Sequence, residues 1–487
     1  MKVKSVSAGV AMLALALGSF ASGSAAQGAG SSPPAVAGPT GAGIGDPYYP
    51  DDGNPGYDVG KYAVHLDYFR SDQTIKATTT IRSTALDRLR SFDLDLVGLK
   101  VLAVEVDGDA ADYRRSGAHE LVITPQQPVA RGDSFVTTVS YRGKPGQDPV
   151  GSIPSGWFDA TTKGAGFIAG EPHSCTLWYP CNDHPTDKAR FSLVATVPRP
   201  FAVVSNGSQH KTTSSMRGST PVRTYRWELS EPTATYLTTI YIDKLTFERS
   251  ELADGTPVVS AYGPKPGRAP RYEAKLPEIL TVLSHYWGPY PAPAAGGIFV
   301  SGKVPFSLET FTRPLYTEGA GVGTIVHENA HQWWGDNVSI RRWRDICLNE
   351  CLASYSQWLW LEHQGRDLDA LYRRGVAGRP SWFDAPLYDM GAGHEFDYEG
   401  VYLKGQYFLH ALRNKIGGKA FFAAMRDIQR DRAVGNLSMI GLRHALQGRT
   451  GVDLTSMWRQ WVLHTGVPSR RNLYPGDLAP RHDGHRR

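Results

Sequence analysis

No long basic block, no internal repeat and no apolar run long enough to cross a bilayer occur in these 487 residues. Without a basic block, the small excess of 52 Lys+Arg over 47 Asp+Glu, a formal +5, argues against nucleic acid as a partner. The most apolar run, from Val10 to Phe20, falls short of the roughly 20 residues that a spanning helix needs. Cysteine is scarce as well. Four residues form two close pairs, Cys175 with Cys181 and Cys347 with Cys351. Sequence does not choose between local bridges, a cross-link between the pairs and free thiols. Apolar material is not lacking: 41% hydrophobic content, with 12 Trp and 23 Tyr, excludes wholesale disorder. At about 150 residues per domain, the length suggests two or three domains, and two is the starting expectation.

The first 26 residues have the form of a secretory signal. Lys2 and Lys4 precede the apolar run, and the small residues Ser24 and Ala26 place cleavage after Ala26. No Cys follows that would take a lipid, so the expected mature protein is exported, without stable membrane insertion. Residues 27–55 begin with Gly, Ser, Pro and Ala in low complexity and read as a flexible leader.

From 56 to about 250 the apolar residues alternate. Tyr62, Val64, Leu66 and Tyr68 share a face, as do Ile75, Ala77, Thr79 and Ile81; Phe92, Leu94 and Leu96; and Leu102, Val104 and Val106. The same period continues through Phe135–Tyr141, Phe191–Val197, Tyr225–Leu229 and Leu237–Tyr241. A period of two predicts strands of a half-buried antiparallel sheet. Near residue 268 the period lengthens. Leu276, Ile279, Leu280, Leu283 and Trp287 recur at three and four until Gly288-Pro289, as in an amphipathic helix and its stop. Further helices are expected near 322–335, 345–363, 401–416, 419–431, 438–448 and 454–464. The domains expected are therefore a β-rich one over 56–250 and a mainly helical one over 251–466, with a polar tail over 467–487 that frays.

The second region holds His327-Glu328-Asn329-Ala330-His331. Two histidines four apart on a helix lie on one face about 6 Å apart along the axis, so both imidazoles reach one ion. Glu328 is placed to act on a water there as a base. A catalytic zinc takes three protein ligands and keeps one open position. Glu350 follows His331 after an eighteen-residue gap, at the start of another predicted helix, and is the candidate third ligand.

His-Glu-Asn-Ala-His-Gln-Trp-Trp-Gly followed by Leu348-Asn349-Glu350 resembles the aminopeptidase N-like zinc metallopeptidases, gluzincins with an HExxH-x18-E pattern. The resemblance implies an α+β multidomain fold, with a saddle-like antiparallel β-sheet domain before a mainly helical thermolysin-like catalytic domain. It also implies one Zn2+ per chain and peptide substrates with a free N-terminus. Tyr402 in Tyr402-Leu403-Lys404-Gly405 matches the family's oxyanion donor. The family's Gly-x-Met-Glu-Asn segment reads Phe306-Ser307-Leu308-Glu309-Thr310, keeping only the acid, and Glu171 lies where a second family acid stands upstream of Asp183. Together Glu171 and Glu309 would hold the substrate's α-ammonium. Large members continue with a helical C-terminal domain, so this chain resembles a short form with a more open cleft. A zinc endopeptidase and a non-catalytic peptide-binding protein on the same fold are the rival expectations. The cysteines flanking Glu350 are not needed as ligands. An intrahelical bridge between them is awkward in Cβ direction, which favours buried thiols or pairing elsewhere.

Overall fold

The computed structural model describes residues 43–479, apart from residue 118 and residues 149–152. The signal expected over 1–26 and the start of the leader lie outside the described residues. The first half is organised on a nine-stranded sheet. Its central strands run Thr220–Thr233, Ala189–Pro198, Tyr57–Phe69, Thr74–Ala85, Ser134–Gly143 and Lys100–Val106 in spatial order. Alternation decides the buried face: Val64 lies between Leu193 on one neighbour and Thr79 on the other, and all three are buried. The sheet is not wholly antiparallel, because Tyr57–Phe69 and Ala189–Pro198 pair in parallel. Leu102, expected inside with Val104 and Val106, is 41% exposed. A register shift between Val101 and Ala103 turns it outward. The expected strand over Leu237–Tyr241 is instead a 3-10 turn, Thr235–Leu237, followed by Ile240–Asp243 in a separate five-stranded sheet.

That smaller sheet also contains Gly166–Ala169, whose end delivers the chain to Glu171. The boundary expected at residue 250 falls inside a hairpin, Thr246–Glu251 paired with Pro257–Tyr262. The hairpin continues through Ile298–Phe299 into Leu315–Tyr316, giving the helical region a four-stranded sheet that the sequence pattern did not reveal. Each added strand is only two residues long, too short for a period to register.

The helices follow their apolar stripes. Leu276–Trp287 buries Ile279, Leu280, Leu283 and Trp287 and stops at Gly288, whose φ of 106° an L side chain would resist. Met439–Thr450 begins at Ser438, whose hydroxyl accepts from Gly441 N, and ends at Gly451 in the left-handed region. Leu368–Val376, with Asp367 as its cap, was not anticipated.

The described parts of the leader and of the tail pack more than their composition predicts. From residue 43 the leader packs: Asp46, Tyr48, Tyr49, Asp52 and Asn54 are buried. Tyr48 Oη donates to Asp389 and accepts from Gly391 N at 2.8 Å, while Tyr49 Oη donates to Glu395. Polar, Pro-rich composition hid these anchors because each pairs with residues more than 300 positions away. The tail likewise buries Asn472, Leu473 and Leu478, and Trp461 Nε1 donates to Asn472 O.

Candidate active site

The helix Val322–Ala330 carries His327 and Glu328, with His331 as its first residue beyond. Glu350 projects from the first turn of Cys347–His363, which packs against it. His327 Nε2 lies 3.1 Å and His331 Nε2 3.6 Å from the same oxygen, Glu350 Oε2. His331 Nδ1 meets Trp334 O at 3.1 Å. A proton donated there leaves the Nε2 lone pair facing Glu350. Burial opposes ionisation of Glu350, but His331 and His327 hold its carboxyl well below the usual range. Two imidazoles and one ionised carboxylate, all buried and converging on one point, are the donor set of a catalytic zinc site, and the residues present fit that ion.

The other anticipated residues gather around this triad. Ligand atoms of Glu309, Glu328 and His331 lie within 4.8 Å of one another, and so do those of Glu171, Glu309 and Glu350. Burial pushes Glu328 well above the ordinary carboxylate range; His331 opposes, and Glu309 and Glu350 add. Burial and then the charges of Glu309 and Glu350 do the same to Glu171. Tyr402 hangs from a π-helical turn, Tyr398–Lys404, with its ring centroid 5.8 Å from that of His327. Burial raises its phenol well above 10, and Glu350, Glu171, Glu328 and Glu309 all push it the same way, so the hydroxyl stays a donor.

Several supporting residues carried no sequence signal of their own. Tyr236 Oη donates to Glu309 Oε1 at 3.2 Å from the 3-10 turn that replaced the expected strand. Gln332 ties the two halves of the site together. Its amide donates to Glu309 O and Asp336 Oδ2, and its oxygen accepts from Thr312 N at 2.8 Å. Its adjacency to the HExxH motif was the available clue. Lys404 Nζ donates to Phe383 O and Ala385 O, anchoring the turn that presents Tyr402; burial lowers its pKa to about 8. Thr310, standing where the family has Asn, donates to Arg313 O at 2.6 Å and so closes the turn after Glu309.

Both cysteine pairs form local disulfides, Cys175–Cys181 and Cys347–Cys351, which corrects the expectation of buried thiols beside Glu350. The Cα atoms of Cys347 and Cys351 are 4.7 Å apart, closer than the roughly 6 Å of an ideal turn, because Cys347 opens the helix. A Cβ at Gly405 would stand 2.5 Å from Cys351 Sγ, so glycine there lets the Tyr402 segment close onto the bridge.

Residues 58–237 match the Peptidase M1 N-terminal domain, and residues 315–382 match the Peptidase family M1 domain. Probable aminopeptidase 1 of Saccharolobus solfataricus is 22% identical over 84% of this chain and 54% of its own length. Aminopeptidase N of Lactococcus lactis is 22% identical over 84% of this chain and 51% of its own. The chain thus spans about half the length of the curated relatives it matches. The M1 zinc metallopeptidase of Deinococcus radiodurans superposes with a TM-score of 0.80 at 27% identity, covering 90% of this chain and all of that one. A mutant of that protein, bound to a Tyr-Ser-Ala substrate, superposes at 0.79 and 26% identity, covering 88% of this chain and 99% of that one.

Proposed function

The chain belongs to the M1 family of zinc metallopeptidases, and from that premise we propose that it is an exported aminopeptidase removing the N-terminal residue of peptides. The observation that carries this reading is the pair of buried carboxylates, Glu171 and Glu309, whose oxygens lie within 4.8 Å of each other and of Glu350. Two acids beside the metal triad hold a free α-ammonium and set the scissile bond one residue in. The Tyr-Ser-Ala complex of the Deinococcus radiodurans neighbour supports a peptide in this place.

His327, His331 and Glu350 would hold one zinc ion, which when bound would supply Lewis acidity at the reacting carbonyl. Glu328, whose raised pKa suits it to both taking and giving a proton, removes one from the attacking water and returns it to the leaving amine. Tyr402 Oη donates to the developing oxyanion. Tyr236 fixes the Glu309 carboxylate against the ammonium. The signal-like first 26 residues and two disulfides support export to an oxidising compartment.

Chromogenic aminoacyl substrates, with chelator and zinc add-back, test the reaction. Activity should vanish with chelator and return with zinc. A peptide and its N-acetylated form test the anchor: the free form should be cleaved at least a hundredfold faster, and equal rates would replace this reading with an endopeptidase.

A further inference from the structure

A second set of metal-type donors lies outside the active site, where the leader meets the amino-terminal sheets. Asp95 ends the strand Phe92–Asp95, Glu120 opens Glu120–Thr124, His119 precedes it, and Asp52 arrives from the leader. Glu120 Oε1 and Asp95 Oδ1 lie 3.3 and 3.5 Å from the same nitrogen, His119 Nδ1. The separations match the 3.1 and 3.6 Å between donors of the His327, His331 and Glu350 triad. Asp95 Oδ1 also accepts from Asn54 Nδ2 at 2.8 Å, and its other oxygen accepts from Asp183 N. Asp52 Oδ1 approaches His119 Nε2 at 3.7 Å, and Asp52 Oδ2 meets His173 Nδ1 at 3.1 Å.

Independently of this convergence, Glu120 Oε2 has no hydrogen-bond partner among the described residues, although the residue is only 6% exposed. A bare carboxylate oxygen in such a place is costly unless a cation meets it. Charge points the same way. Asp52, Asp95 and Glu120 place three carboxylates around His119. His119 is about one-fifth exposed and gives an ion a way in.

We propose that Asp95, His119 and Glu120, with Asp52 beside them, bind a second divalent cation, structural and separate from the catalytic zinc. One imidazole with carboxylate oxygens selects Zn2+ or Mn2+ over Ca2+. The ion fastens the leader, through Asp52, onto the sheets beneath it.

The test counts metal by elemental analysis in full-length protein, stripped with chelator and re-equilibrated with Zn2+ or with Mn2+ alone. A His327→Ala/His331→Ala variant, which lacks the catalytic donors, should keep one ion per chain. Adding His119→Gln and Glu120→Gln should take the count to zero. No ion in the first variant, with either metal, overturns the proposal, as does an ion that survives all four substitutions. If the fourfold variant fails to fold, the first variant still decides, through its count and a rise in unfolding temperature when the metal is added. Neither readout depends on peptidase activity, so failure here and failure of the aminopeptidase reading are distinguishable.

Discussion

Tyr402 illustrates how much of the site rests on single groups. Its ring lies against His327, and burial, reinforced by four carboxylates, keeps its hydroxyl protonated. Tyr402→Phe should lower kcat by two to three orders of magnitude, the roughly 3 kcal/mol of an oxyanion donor, and leave the metal content of the wild type unchanged. Steady-state kinetics beside a metal assay checks both halves. Gly405→Ala works by packing instead. The added methyl meets Cys351 Sγ and Cβ at 2.5 and 2.7 Å, closer than real contacts allow. The strand of backbone presenting Tyr402 must then shift, and we expect a loss of about 1–3 kcal/mol in stability together with a lower kcat, read by denaturant titration and kinetics.

At this scale the sequence was legible where one helix or one spacing supplied the chemistry. His327, Glu328 and His331 follow from helical geometry, and Glu350 from its spacing after His331, which matches the family pattern. Glu171 and Glu309 have no such local rule. They come from different sheets, and only resemblance to a family pointed to them. Tyr236 and Gln332 act through bonds to Glu309, and nothing in a linear pattern marks a residue whose role is to hold another.

Among the elements, the leader from residue 43 to 55 departs most from its composition. Its aromatic pair fastens the stretch that leads to Tyr402: Tyr48 to Asp389 and Gly391, and Tyr49 to Glu395. Tyr49→Phe removes the donor to a carboxylate that is wholly buried and whose other oxygen has no partner among the described residues. Leaving such a group unmet costs about 1–3 kcal/mol, so the variant's unfolding midpoint should fall measurably in calorimetry. The π-helical turn Tyr398–Lys404 covers the first residues of the helix expected over 401–416. Lys404 Nζ donates to the carbonyls of Phe383 and Ala385 and anchors the turn from outside. Strands and amphipathic helices were legible because half of each faces solvent; two-residue strands and side-chain-anchored segments were not.

Across the whole molecule, the buried acids set a pH dependence. Glu273 accepts from Ser260 Oγ, and burial raises its pKa to about 8 from the ordinary 4.5. The folded state therefore holds a proton that the unfolded chain releases. The sign follows: this group's contribution is fully present below about pH 4.5 and is lost as pH rises toward 8. Glu273→Gln keeps the acceptor for Ser260 and carries no proton to lose. The variant should be more stable than wild type at pH 8, by about 2–4 kcal/mol, with the gap closing toward pH 5. Urea titrations at the two pH values check it.

The parallel pairing of Tyr57–Phe69 with Ala189–Pro198 bears on how the molecule comes to exist. The first strand of the sheet sits at its middle, flanked on one side by its immediate successor and on the other by a segment some 120 residues further along. An emerging chain forms the hairpin with Thr74–Ala85 early, then waits with an open, apolar edge until residue 198 has appeared. High contact order of this kind slows folding and exposes an edge to wrong partners in the interval. Assembly of the amino-terminal half is thus a late, long-range closure, and a chain cut short of that closing strand is left with its central edge bare.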